Sequence, residues 1–147
     1  YTFVCRSFPH PAMVAFDAPS REECVAERPR SNIPQQALVL LNDPVFVEAA
    51  RALAERLLME IKGNDDTRLA LAFKLALTRE PSAKERQILS KLLAAQRERY
   101  KANPEDAKKL IATGSKQVAA NLESHELAAW TSIARALLNI YETTARF

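Results

Sequence analysis

The chain has 147 residues, 48% apolar and 27% charged, the balance of an ordinary globular protein and not of a disordered one. Twenty-one basic and eighteen acidic residues leave a net charge of +3. That is too little to point to nucleic acid, and no basic cluster is interleaved with aromatics. One domain is the natural count at this length, which allows a real core. With only Gly63 and Gly114 as glycines and few alternating β-branched runs, a sheet is not expected.

Residues 1–19 hold Tyr1, Phe3, Phe8 and Phe16 among Pro9, Pro11 and Pro19. Proline at this density works against a regular helix, and apolar residues at this density work against free disorder. The segment reads as an extended arm packed on helices. Ser20-Arg21-Glu22-Glu23 has the pattern of a capping box and predicts a short helix over 21–27, ended by Pro29.

The stretch from Ser31 to Arg51 organises the rest. Pro34 suits a first helical turn, where its missing N–H is not needed, and Ser31 or Asn32 can cap that start. Ala37 to Leu41 is apolar throughout, so this short helix is expected to be buried on most sides. Asn42-Asp43-Pro44 repeats the start signal, with Asp43 as cap. Two helices with almost no loop between them must meet at an angle. Gln36 and Asn42 sit among apolar neighbours and, if buried, must find partners.

A long helix is predicted over 44–62, with Phe46, Ala49, Ala50, Leu53, Leu57, Leu58 and Ile61 on its inner face. Arg51, Glu55, Arg56, Glu60 and Lys62 fall on the other face, and Gly63 fits a left-handed end. Residues 66–78 are apolar nearly all round, which predicts a central helix. Ser82-Ala83-Lys84-Glu85 opens a helix over 83–102, with Ile88, Leu89, Leu92, Leu93, Gln96 and Tyr100 inward. Asn103-Pro104 starts a shorter helix closed by Gly114, and 115–123 is a polar loop. The last helix spans about 125–145, with Leu127, Trp130, Ile133, Ala134, Leu137, Leu138 and Tyr141 inward. The Trp130 N–H needs an acceptor there, and Asn139 is placed for a cross-helix hydrogen bond. The fold expected is all-α: an irregular antiparallel bundle of five to seven helices, 20–147, with an extended arm, 1–19.

No catalytic or metal constellation assembles from the sequence. His10 and His125 are far apart, and there is no phosphate loop, GxSxG or CxxC motif. Two cysteines, Cys5 and Cys24, cannot define a disulfide framework, and Cys24 reads as a small buried apolar residue. No membrane span or lipidation motif is present. Arg28 and Arg30 offer planar forks for an anion, or for pairing with Asp17, Glu22, Glu23 or Asp43.

The run Phe16-Asp17-Ala18-Pro19-Ser20-Arg21-Glu22-Glu23-Cys24, then Arg28, Arg30, Asn32, Pro34 and Gln36 through Pro44, resembles a domain of unknown function abundant in planctomycetes. Ala72-Phe73, Leu77-Thr78-Arg79, Pro81, Leu127 to Trp130, Leu137 to Asn139 and Glu142 also fit. Cys24 matches the pattern and Cys5 does not, while Ile33 and Gln35 depart from it mildly. The chain is similar to the C-terminal part of that domain, which closes large exported proteins carrying cytochrome-c-like modules upstream. The resemblance implies periplasmic or extracellular localisation. It also implies a haem in an upstream domain, with no cofactor in this segment.

The chain begins at Tyr1 in an aromatic segment and is expected to be a piece of a longer polypeptide. Two functions are then expected. The first is a non-catalytic structural or interaction module whose partners are other domains of the same polypeptide, without nucleic acid or membrane insertion. The second is an enzyme or ligand site, in glycan degradation or linked redox chemistry. In that case Asp17, Arg21, Arg28, Arg30, Asn32, Gln36 and Asn42 would line a cleft completed by upstream domains.

Overall fold

The computed structural model describes residues 5, 7–20, 22–27, 29, 31–119 and 121–144. Among them are eight helices and no strand, the all-α bundle that the patterning implies. They are α1 (Pro11–Ala15), α2 (Pro34–Asn42), α3 (Pro44–Glu60), α4 (Asp65–Leu77), α5 (Ala83–Ala102), α6 (Pro104–Ile111), α7 (Ser124–Leu138) and α8 (Tyr141–Thr144). No described helix is long and apolar enough to cross a membrane.

The starts follow from local chemistry. Proline opens α1, α2, α3 and α6. Asp43 Oδ1 accepts from the Val45 N–H at 2.9 Å, and the Asp43 N–H closes α2 on the Val39 carbonyl at 2.9 Å. One residue therefore separates α2 from α3. Asn64 caps α4 through the Asp66 N–H at 3.0 Å. Ser82 and Glu85 form the reciprocal capping box of α5, at 3.3 and 2.7 Å. The left-handed end of α4 is Thr78, at φ 58°. Gly63 lies beyond the Ile61 cap of α3, at φ 91°.

The structure departs from expectation in the arm and just after it. Pro11 does not suppress a helix but starts α1, because a first-turn residue needs no N–H and His10 Nδ1 accepts from Ala12 at 3.3 Å. The helix expected over 21–27 is absent among its described residues. Ser20 Oγ takes the Glu22 N–H at 3.3 Å, and residues 22–27 are exposed bends and coil. With no apolar face to bury, so short a segment cannot offset the cost of helix nucleation.

The central helix is α7, and not α4 as its all-round apolarity suggested. Leu127 to Thr131, Ile133, Ala134 and Leu137 are fully buried, and α3, α5 and α6 pack around them. Three features permit this. Ala128, Ala129 and Ala134 allow close approach, the Thr131 hydroxyl returns to the Leu127 carbonyl at 2.7 Å, and Ser132 meets the Tyr100 hydroxyl at 3.2 Å. Helix α4 buries only Leu69, Ala72, Phe73 and Leu77, and leaves Lys74 and Leu75 outside. The Trp130 N–H finds its acceptor one turn back, at Glu126 Oε1, 3.0 Å.

Other apolar residues expected inside lie outside. Helix α2 buries only Leu40, and Leu38 is 57% exposed. Ala49, Ile88 and Tyr141 are exposed as well. In the opposite sense, Arg51 and Glu55 were placed on the outer face of α3 and are buried.

Candidate functional site

The α2 corner gathers some of the polar residues singled out in the sequence. Asp17, turned by a left-handed φ of 56°, accepts from the Ser31 N–H at 2.7 Å and from the Ser31 hydroxyl at 2.8 Å. The Gln36 amide donates to the Ser31 carbonyl at 3.1 Å. Asp17 and Gln36 thus meet on Ser31, which the sequence marked only as a cap. This brace closes the segment 18–30 at its neck. Asn42 stands apart, exposed and bonded to the Leu38 carbonyl of its own helix at 2.9 Å. Arg21, Arg28 and Arg30 lie outside the described residues.

Beside the brace is a cavity of about 340 Å³, between α2, the end of α7 and α8. Phe16, Asn32, Gln36, Asn139, Tyr141 and Thr144 are on its wall, and none of its described lining residues is charged. Arg135 ties α7 to α2 through the Leu41 carbonyl. The expected cross-helix bond from Asn139 is not made by its oxygen: Oδ1 is shut off from water and accepts nothing from the described residues, and Arg135 Nε likewise finds no partner among them. The seam between α2 and α7 is therefore incompletely satisfied, at a cost of about 1–3 kcal/mol per buried group.

The strongest electrostatics lie elsewhere, in three clusters that residue spacing did not reveal. In the first, Arg51 donates to Glu55 at 2.9 Å and to the Lys116 carbonyl at 2.7 Å. One turn away, the Glu48 carboxylate accepts the Ser115 and Lys116 N–H groups at 2.7 and 3.0 Å. The Ser115 backbone bond does most to hold the Glu48 carboxyl below its ordinary range.

In the second, Arg97 Nε bonds Glu126 at 2.9 Å and its Nη2 bonds Asp65 at 2.9 Å. The Arg97 hydrogen bond lowers Asp65. Burial pushes Glu126 up, but Arg97 and the Trp130 indole together bring it below its ordinary value.

In the third, Arg79 lies over the Phe73 ring and pairs with both oxygens of Glu85 and of Glu142, at 2.7 to 3.0 Å. Hydrogen bonds from Arg79, then from Ser82, depress Glu85 to about 2.

In the second and third clusters one guanidinium lies between two carboxylates, and in the first Arg51 joins Glu55 to the Lys116 carbonyl. Charge-assisted hydrogen bonds of this kind tie the helices, and the loop at Ser115 and Lys116, together. Among the described residues no three His, Cys, Asp or Glu gather to hold a metal ion. Cys5 and Cys24 are not bridged, and Cys24 is exposed, not buried, because its segment forms no helix.

Fold and site together define an all-helical domain whose charged clusters join its helices and whose uncharged cavity sits at one corner. The chain belongs to the PSD1 family, described as a protein of unknown function (DUF1553), whose family model matches residues 1–93. The matched stretch holds the arm, α2, α3, α4 and the first half of α5, and ends short of α7. No curated protein and no solved structure matches the chain.

Proposed function

We propose that the chain is a non-catalytic structural or interaction module of a larger exported protein of planctomycete type, docking on other domains of the same polypeptide. One observation carries this reading. On the two sides of the Asp43-Pro44 corner, Leu38 is 57% and Val45 71% exposed. Around Leu38, Gln35, Val39, Asn42 and Asp43 form a shallow depression of about 420 Å³. Apolar side chains held outward on a braced corner are what a domain interface covers. In this reading the chain closes the polypeptide, and any haem belongs to an upstream cytochrome-c-like domain.

Small-angle scattering of the intact polypeptide tests the proposal. A compact particle that loosens on Leu38→Asp with Val45→Asp, while the melting temperature of this domain holds, supports docking through this corner. Free tumbling of the domain in the unsubstituted protein sinks it.

A second reading is favoured by the cavity, which brings together Asn32 and Gln36. There the chain contributes residues to an enzyme or ligand site completed upstream, in glycan degradation or linked redox chemistry. Alanine at Arg28 and Asn32 in the full-length protein would then abolish activity with the melting temperature nearly unchanged. Loss of folding would return both residues to structural duty.

A further inference from the structure

We infer that the cavity between α2 and the α7–α8 corner is a socket for an uncharged, extended peptide segment of a partner, anchored by one apolar side chain. The inference rests on the interaction reading above and names the chemistry of the partner at a second, distinct place on the corner.

The wall offers amides. Gln36 spends its Nε2 on Ser31, and its Oε1 carries no hydrogen bond among the described residues. Asn32 is exposed and its amide makes none among the described residues. Asn139 Oδ1 is a buried acceptor with no donor among the described residues. The terminal torsion of an asparagine is broad, so a small rotation turns that oxygen toward the cavity. Three amides from two elements thus have unused capacity around one space.

A peptide group is the natural complement. It is neutral, and it carries one N–H donor and one C=O acceptor at each residue. A carboxylate or ammonium entering the same space would be desolvated without a counter-charge among the described lining residues. The rest of the described wall is apolar apart from Tyr141 and Thr144, with Ile33, Ala37 and Leu40 in addition to the Phe16 ring. At about 340 Å³ the space lies at the lower end of ligand pockets, sized for one side chain and its flanking peptide groups. An N–H donated to Asn139 Oδ1 would also remove an unsatisfied group that the isolated chain carries.

The test is a backbone-amide NMR titration of the 147-residue chain with capped tetrapeptides. The probes are N-acetyl-Gly-Leu-Gly-Gly-amide, the same peptide with Glu or Lys for Leu, and methyl glucoside. The neutral leucine peptide should shift signals of residues 32–40 and 139–144, and the charged peptides and the glycoside should not. Asn32→Ala and Asn139→Ala should each weaken binding by about tenfold, as expected for a lost hydrogen bond. Asn32 is exposed and its side chain makes no hydrogen bond among the described residues, so its variant keeps the test valid if Asn139→Ala fails to fold.

Four results would overturn the inference: no shift at millimolar peptide, shifts elsewhere on the chain, equal binding of charged peptides, or preferential binding of the glycoside. If the peptide fails while Leu38→Asp with Val45→Asp still releases the domain in the intact protein, the interaction reading stands without this socket. If both fail, both fall.

Discussion

The Glu48 carboxylate receives two consecutive backbone N–H groups, from Ser115 and Lys116, across 67 and 68 residues of sequence. It fastens the α6–α7 loop to α3 at the place where Gly114 turns with φ 104°. A Cβ added to Gly114 would stand 2.3 Å from Glu48 Oε2. Two penalties then coincide, a left-handed backbone for a non-glycine residue and displacement of the clamp. Gly114→Ala should destabilise the domain by about 1–3 kcal/mol from the backbone strain alone. Gly63→Ala, where a Cβ meets nothing within 4 Å, carries the strain without the clash and should cost less. Equal denaturant midpoints for the two variants would contradict the clamp.

The carboxylates set the response to acid. Glu85 is depressed from an ordinary 4.5 to about 2, first by Arg79 and then by Ser82. Because the folded value is the lower one, its contribution is fully present above about pH 4.5 and is lost as the pH falls toward 2. Asp65, Glu48, Glu126 and Glu142 are shifted in the same direction. The melting temperature should therefore fall through that window. Glu85→Gln keeps the capping box and removes one titrating group, so its profile should be shallower. A flat profile between pH 5 and about 2.5 would refute the assignment.

Arg97 separates Asp65 from Glu126, and Glu126 accepts the indole of Trp130, the only tryptophan. Arg97→Met leaves two half-buried carboxylates facing each other. The expected loss is about 2 kcal/mol, since hydrogen bonds to charged groups are the stronger kind. Trp130 emission should report it, by a change absent from Arg56→Met, whose pair with Glu60 is exposed on one helix.

Central packing of α7 leaves no room for growth. Ala128, Ala129 and Ala134 have no exposed surface. Ala129→Leu should destabilise by about 1–3 kcal/mol through overpacking. Tolerance of leucine there, measured by urea unfolding, would mean that α7 is not the axis of the bundle.

The orientation of α2 is tested by two leucines two residues apart. Leu40 is nearly buried and Leu38 is mostly exposed. Leu40→Ala should cost at least about 2 kcal/mol, whereas Leu38→Gln should stay within about 0.5 kcal/mol. Reversal of that order in thermal melts would turn the helix over.

Some of this was legible from the chain alone. Proline marked the starts at 34, 44 and 104, and the capping box at Ser82 marked the fourth, because these signals act within one helical turn; Asp43 caps as expected, whereas α2 starts after Ile33 with no side-chain cap from Ser31 or Asn32. Trp130 asked for an acceptor and has Glu126. Of the candidate site, Asp17, Gln36 and Asn32 do assemble at one corner, whereas Asn42 turns back onto its own helix. Ser31 was expected only to cap α2; its hydroxyl pairs with Asp17 instead.

What remained hidden depends on distance. Arg51 and Glu55 pattern as a solvated face, yet a loop sixty residues later covers them. Leu38 lies in a run that patterns as core, yet it is mostly exposed. Periodicity reports which residues share a side of a helix. It carries no information on which sides meet, because pairing is set by the shapes and small residues of neighbours far along the chain. Residue order therefore specified the helices and their ends, and packing assigned the centre to α7, the surface to α2 and the burial to an ion pair.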